Sequence, residues 1–429
     1  MMGDQGNSQI SGKRKFLSLK VHNISIKKEL ILSIFMLLFF ISPAWTNEIR
    51  KDCAKCHPLI YRQWKQSAHA RSASNSMVQT MYSGTHALGF RGWRPGYKLD
   101  FPTTSGNCAT CHAPTAAFNS PFTTDLSKID RNDGISCVFC HKIKGIELHP
   151  SGKMPGTLSI KIEEGKDKCP RSMPTFLKKS EFCAPCHMAK FWDVPIFNTY
   201  LEWRESPYYK KGIQCQDCHM AGSNHKLKGP DDIDFLSQGI SLEVKAEIKD
   251  IIEVKVAVKN TGAGHNFPTG HPMRNLILLV EAKDEKGNSL PCLSKEKVPD
   301  YGEIWSGKPG KGFAMILGEI FHSLCFNTSV KTNNARIGQN ADSVIEERKI
   351  YAQPFWRHSY IESDNRIAPS ASDISKYQFE IPKAKFATVT VTLIYRKAFK
   401  PLANWKGWDL KDTIIGKKSL KLYFQNRKF

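Results

Sequence analysis

One five-residue pattern, Cys-x-x-Cys-His, occurs five times in this chain and constrains everything that can be built from it. The copies are Cys53-Ala-Lys-Cys56-His57, Cys108-Ala-Thr-Cys111-His112, Cys137-Val-Phe-Cys140-His141, Cys183-Ala-Pro-Cys186-His187 and Cys215-Gln-Asp-Cys218-His219. This is the pattern of covalent c-type haem attachment. Two thiols three positions apart reach the two vinyl groups along one edge of a porphyrin, and the next residue, His, lies under the ring and binds iron. Chance supplies only about 0.01 such motifs in a chain of this composition. A disulfide framework, redox dithiols or zinc knuckles do not explain a His after the second Cys all five times. Five covalent haems c are expected. Three cysteines remain: Cys292 and Cys325 are candidates for a disulfide in an oxidising compartment, and Cys169 has no assigned role.

The N-terminus reads as an export signal. Six basic residues between Lys13 and Lys28 precede the apolar run Leu30 to Ile41, and Ser42-Pro43-Ala44 gives a small-x-small cleavage pattern. The rival reading is an uncleaved anchor, which alone would tie the protein to a membrane: the 18 residues from Leu30 to Asn47 carry no charge, near the lower limit for a spanning helix. Pro43 and the small residues shorten the stretch and favour cleavage. The full chain carries a net +22, and loss of residues 1–44 removes six basic and two acidic residues to leave +18. Export, to the periplasm or beyond, removes the nucleic-acid reading that such a balance would otherwise invite.

Each haem iron has a second axial position. Of the 14 His, five belong to the motifs and His22 goes with the signal. The other eight are His69, His86, His149, His225, His265, His271, His322 and His358, enough for five bis-His haems. Residues 58–71 (PLIYRQWKQSAHAR) read as a helix. On a straight helix His57 and His69 lie about 18 Å apart, whereas axial nitrogens on one iron are about 4 Å apart. His69 therefore reaches more naturally to a neighbouring haem. His225 follows a flexible turn after His219, and His149 lies in a loop before Pro150. His265 and His271 sit in a Gly-rich loop between two strands, where glycines allow the backbone close to something flat. The candidate distal ligands are His69, His149, His225, His265 and His271.

The motifs span residues 53 to 219, so five haems must form much of the core there. Short helices and loops are expected over residues 45–228. The character changes after the polar linker Gly229-Pro230-Asp231-Asp232. Alternating apolar positions at Leu242 to Ile248 and Ile252 to Val258 read as strands around a turn at Lys249-Asp250. Leu276 to Glu281, Tyr377 to Ile381 and Thr388 to Tyr395 are further strands. The expected class is α+β: a mostly helical and loop haem domain followed by an antiparallel β-sandwich over residues 229–429, with an irregular insertion at about residues 301–371.

Cys53-x-x-Cys56-His57 followed by Tyr61, Trp64, Ser67 and His69 resembles the start of multihaem cytochromes of the cytochrome c-554 type, related to the hydroxylamine-oxidoreductase group. The segments GISCVFCHKI (134–143), EFCAPCH (181–187), TYLEWRESPYYKKGIQCQDCHM (199–220) and NTGAGHNFPTG (260–270) are similar to a wider group of exported multihaem cytochromes, in which a haem module precedes a β-sandwich. The resemblance implies close haem pairs with mostly bis-His ligation. It places His69 and His225 as distal ligands and matches His265 to a Gly-His-x-x-Pro-Thr-Gly motif.

Two functions compete. One is an electron carrier whose close haems pass electrons between partners, with no bond chemistry on the protein and no catalytic residue. The other is an oxidoreductase acting on a small nitrogen or sulfur compound at one haem with an open distal site. Pentahaem nitrite reductases carry Lys in place of the motif His at their catalytic haem, and here all five motifs end in His, which favours the carrier. Each ferric haem contributes about −1, so the oxidised holoprotein stays near +13 and suits an acidic redox partner.

Overall fold

A computed structural model describes residues 53–117, 120, 123–132, 134–141, 175–319 and 354–424. The expected signal segment, His149, Cys169, His322 and Cys325 lie outside these residues. The motif region contains many short helices. Four of the five motifs sit in or at single helical turns: Cys108–His112, Cys137–His141, Ala184–His187 and Cys215–His219. A turn of four or five residues does not stand alone in water, so tertiary contacts must hold these.

The helix expected over residues 58–71 stops earlier, as Pro58–Lys65. Serine hydroxyls beyond it capture backbone groups: Ala70 N–H donates to Ser67 Oγ (3.1 Å) and Ser72 Oγ donates to the His69 carbonyl (2.9 Å). Such local bonds compete with helix continuation. His69 therefore lies in a turn. A small hairpin, β1 (Ala189–Phe191) and β2 (Val194–Phe197), follows the fourth motif.

Eight strands come after it: β3 (Ile240–Ile248), β4 (Ile252–Asn260), β5 (Asn275–Asp284), β6 (Gly310–Glu319), β7 (Ser359–Asp364), β8 (Ser372–Phe379), β9 (Phe386–Arg396) and β10 (Thr413–Tyr423). They form two antiparallel sheets, ordered β10-β9-β5-β6-β7 and β3-β4-β8. Val254, Val256 and Val258 of one pack against Leu276, Leu278, Val280, Val391 and Leu393 of the other in one buried cluster. The α+β class and the sandwich-like second half follow the sequence pattern. The stretch at about residues 301–371 is not wholly irregular, because β6 and β7 complete the larger sheet. Glycine hid β6: Gly312 lies against the Tyr301 hydroxyl, where a Cβ would collide.

The helix Lys400–Lys406, between β9 and β10, joins the sheets to the motif region within one unit spanning Arg50–Phe429. Fully buried Lys406 donates through Nζ to the carbonyls of Thr80 (3.0 Å), Trp93 (2.9 Å) and Pro95 (3.0 Å). Trp93 stacks on Trp405 at 4.7 Å, and Trp408 Nε1 donates to Thr80 Oγ1 (2.9 Å). A second clasp joins Asp100 to Trp356 Nε1 and Arg357 Nε, each at 2.9 Å. Burial alone would raise the Asp100 carboxyl, but hydrogen bonds from Arg357, Trp356 and Arg94 outweigh it and hold the pKa below 3.8.

Both clasps are open to test. Lys406→Met strands three buried carbonyls and is expected to cost about 3 kcal/mol, read as a lower urea midpoint of the holoprotein. A depressed carboxylate stabilises the fold above its unfolded pKa and loses that contribution as pH falls through the folded value. Asp100→Asn should therefore lower stability at neutral pH and flatten its acid dependence below pH 3.8; an unchanged acid limb would show that the clasp carries no such linkage.

Candidate haem-binding site

Three imidazole pairs face one another across the same gap. His187 and His69, His141 and His225, and His219 and His265 each have ring centres 6.2 Å apart. Aromatic pairs in general span about 4.5–7 Å, so one such distance means little. Here all three agree, and each joins a motif His to a His outside the motifs. An iron between two imidazole nitrogens separates the ring centres by about 6.4 Å, from two metal–nitrogen bonds of about 2 Å and about 1.2 Å from each nitrogen to its ring centre. The gap fits one iron per pair.

The hydrogen bonds suit the same role. His219 Nδ1 meets the Lys228 carbonyl (2.6 Å), His225 Nδ1 the Ser223 carbonyl (2.8 Å) and His265 Nδ1 the Asn266 carbonyl (3.0 Å). A carbonyl accepts, so Nδ1 keeps the proton and Nε2 offers its lone pair. Burial holds the rings neutral: first through desolvation and then through neighbouring charges, the pKa falls to about 4 at His69 and about 3 at His187. Desolvation likewise brings His112 and His265 down to about 4, although hydrogen bonds to backbone groups oppose the shift. A neutral imidazole is what a metal needs.

Among the described residues the motif cysteines form no disulfides, and no cluster of three or more His, Cys, Asp and Glu converges as a metal site would. Burial, with a neighbouring thiol, pushes Cys108 and Cys140 up to about 12, away from the low values of reactive dithiols. Cys183 donates to Cys215, which raises the first and lowers the second to about 7. Paired thiols on one helical turn, with the following His buried, fit attachment of a haem.

Contacts link the motifs into one cluster. Cys111 of the second motif lies beside Cys186 of the fourth, and Cys183 of the fourth beside Cys215 of the fifth. Cys140 of the third lies within electrostatic reach of Cys183, and His57 of the first within reach of His141. The fourth motif thus neighbours the second, third and fifth, while the first joins through the third.

His271, the remaining described candidate, and the other described His outside the motifs form no such pair among the described residues. His271 is buried against Phe197 and Phe355, in electrostatic reach of His112. His86 packs on Phe90 and Trp93, and His358 on Trp192. Sequence reasoning missed the group that holds the His265 loop. Glu202, in the helix Thr199–Arg204, pairs with Arg366 at 2.9 Å, both side chains nearly buried. It also accepts from Thr269 Oγ1 (2.6 Å) and Asn266 N–H (3.1 Å). Arg366 lies 164 positions away, and Glu202 stands beside other charged residues, Arg204 and Glu205, so nothing local marked it as buried.

Residues 52–142, which hold the first three motifs, match the family described as cytochrome c554 and c-prime. No curated protein sequence matches the chain. Among solved structures, the crystal structure of a penta-heme cytochrome c552 from Thermochromatium tepidum shares the fold, with a TM-score of 0.62 and 21% identity, over 88% of this chain and 98% of that one.

Glu202→Ala leaves buried Arg366 with Asp364 alone (2.7 Å) and frees the Asn266 N–H and Thr269 hydroxyl, and is expected to destabilise the holoprotein by about 1–3 kcal/mol. Hydrogen exchange should show the loss first at residues 260–271, and protection unchanged there would refute the anchoring role. The repeated motifs and their facing imidazoles fit a multihaem c-type cytochrome, and residues 52–142 are similar to the cytochrome c554 and c-prime family.

Proposed function

We propose that the chain is an exported electron carrier holding five haems c. Each haem is bound by one cysteine pair: Cys53 and Cys56, Cys108 and Cys111, Cys137 and Cys140, Cys183 and Cys186, or Cys215 and Cys218. His57, His112, His141, His187 and His219 are the proximal ligands. His69, His225 and His265 complete the fourth, third and fifth haems. His149, outside the described residues, remains the further candidate from sequence. The observation that carries this reading is the set of three 6.2 Å imidazole pairs inside one continuous cluster of motifs. When bound, each haem supplies a one-electron couple; the protein holds the rings close enough for electrons to hop, with the carbonyls of Lys228, Ser223 and Asn266 fixing the imidazoles.

Export rests on the N-terminal pattern. Among the described residues no helix is long and apolar enough to cross a membrane. The basic balance of the chain favours an acidic redox partner.

The test uses holoprotein made with haem-maturation machinery. Five haems per chain are expected by pyridine haemochrome assay. His225→Ala and His265→Ala should each turn one low-spin ferric haem high-spin, at unchanged haem count. Mutual spin coupling in the EPR spectrum should mark the close haems. Spin states unchanged in both variants would overturn the ligand assignment, and failure of a substoichiometric reductant to equilibrate among the haems would overturn the carrier.

A further inference from the structure

Ser72 stands where three motif segments meet. It lies three residues past His69, in the turn beyond the helix Pro58–Lys65. Its hydroxyl is 2.7 Å from the His112 carbonyl and 2.9 Å from the His69 carbonyl, and it accepts from the Ile135 N–H at 3.2 Å. His112 belongs to the second motif, and Ile135 lies two residues before the third. The His69 ring faces His187 of the fourth across 6.2 Å. Ser72 is buried, so water does not stand in for these partners.

A serine hydroxyl has one proton, and here it lies between two carbonyls as a three-centre bond. The Ile135 N–H is shared in the same way, between the Ser72 oxygen and the His69 carbonyl (2.9 Å). The His69 carbonyl also takes the Ser72 N–H at 3.2 Å. The turn is closed from the far side as well. Gly134 presses on the carbonyls of His69 and Ala70, where a Cβ would collide, and Trp64 Nε1 donates to the Ile135 carbonyl (2.8 Å). The His112 carbonyl ends a single helical turn, Cys108–His112, and Ser72 ties that end to the His69 turn. Cys111 and Cys186, which precede His112 and His187, are neighbours too.

We propose that Ser72 is a positioning residue for the fourth haem: by tying the His69 turn to the His112 carbonyl of the second motif, its hydroxyl sets the angle at which the His69 ring meets iron. Hydrogen bonds behind a ligand orient its ring. For His69 that support comes through the backbone, from a residue of another haem's motif. The role rests on the haem reading of the motifs and on His69 as a ligand. If that reading fails, His69→Ala leaves every ferric signal unchanged. If only the role of Ser72 fails, His69→Ala removes one low-spin signal and Ser72→Ala leaves that signal in place.

The experiment is EPR of the ferric holoprotein, where the g-values of a low-spin iron between two imidazoles follow the angle between the ring planes. His69→Ala identifies the signal of the His69–His187 site by its loss, as His225→Ala and His265→Ala identify theirs. Ser72→Ala should keep five haems and shift the first signal while the other two stay in place. Ser72→Thr, which keeps the hydroxyl, should restore it. Gly134→Ala pushes the same turn from the other side and should shift the same signal, which decides the matter if Ser72→Ala takes up fewer haems. Three results would overturn the proposal. One is an unshifted signal in Ser72→Ala or, where that variant takes up fewer haems, in Gly134→Ala. Another is an equal shift of all three signals, the mark of a general loosening. The last is the same shift in Ser72→Ala and Ser72→Thr, which would take the effect away from the hydroxyl.

Discussion

The meeting of imidazoles from distant segments, with ring centres 6.2 Å apart, is the constraint on which the motif region depends. Its helices are mostly single turns, too short to hold themselves. What fixes them is the meeting of residues from distant segments: His69 with His187, His141 with His225, His219 with His265. Each pair joins two parts of the chain through one gap. The neighbouring thiols repeat the pattern, with Cys186 beside Cys111 and Cys183 beside Cys215. The region is cross-linked by its sites rather than built around an ordinary core.

The β-sheets serve that region as an anchor. The loop between β4 and β5 carries His265 and His271 toward the motifs, and its position is set from both sides. Behind it stand two rigid strands of the buried sandwich. In front, Glu202 binds the loop at Asn266 and Thr269 while pairing with Arg366. The Lys400–Lys406 helix holds the other side, where the buried Lys406 amino group satisfies three carbonyls, of Thr80 in the helix Ser76–Ser83 and of Trp93 and Pro95 after it. A buried amino group of this kind persists because its hydrogen bonds offset the loss of water.

Much of the fold was legible because its signals are local. Alternation at Leu242 to Ile248 and Ile252 to Val258 placed β3 and β4. The failures were also physical. Apolar periodicity from Tyr61 to Ala68 argued for a long helix, but the hydroxyls of Ser67 and Ser72 ended it. Strand β6 was hidden by glycines whose value is the ring packed above them. Among the candidate site residues, the motif Cys and His were plain from spacing, since haem attachment is a contiguous pattern.

By itself the sequence carries the Cys-x-x-Cys-His pattern five times, with two thiols and a His adjacent in the chain as holding one edge and one face of a haem requires. It also determined that a patterned β region comes after them. Only the tertiary structure decided which distant His faces which motif and which ring nitrogen each one offers. His265 and His271 are alike in sequence, two His in one Gly-rich loop. They differ because one Nδ1 meets a carbonyl and the other a backbone N–H, and the proton follows the partner.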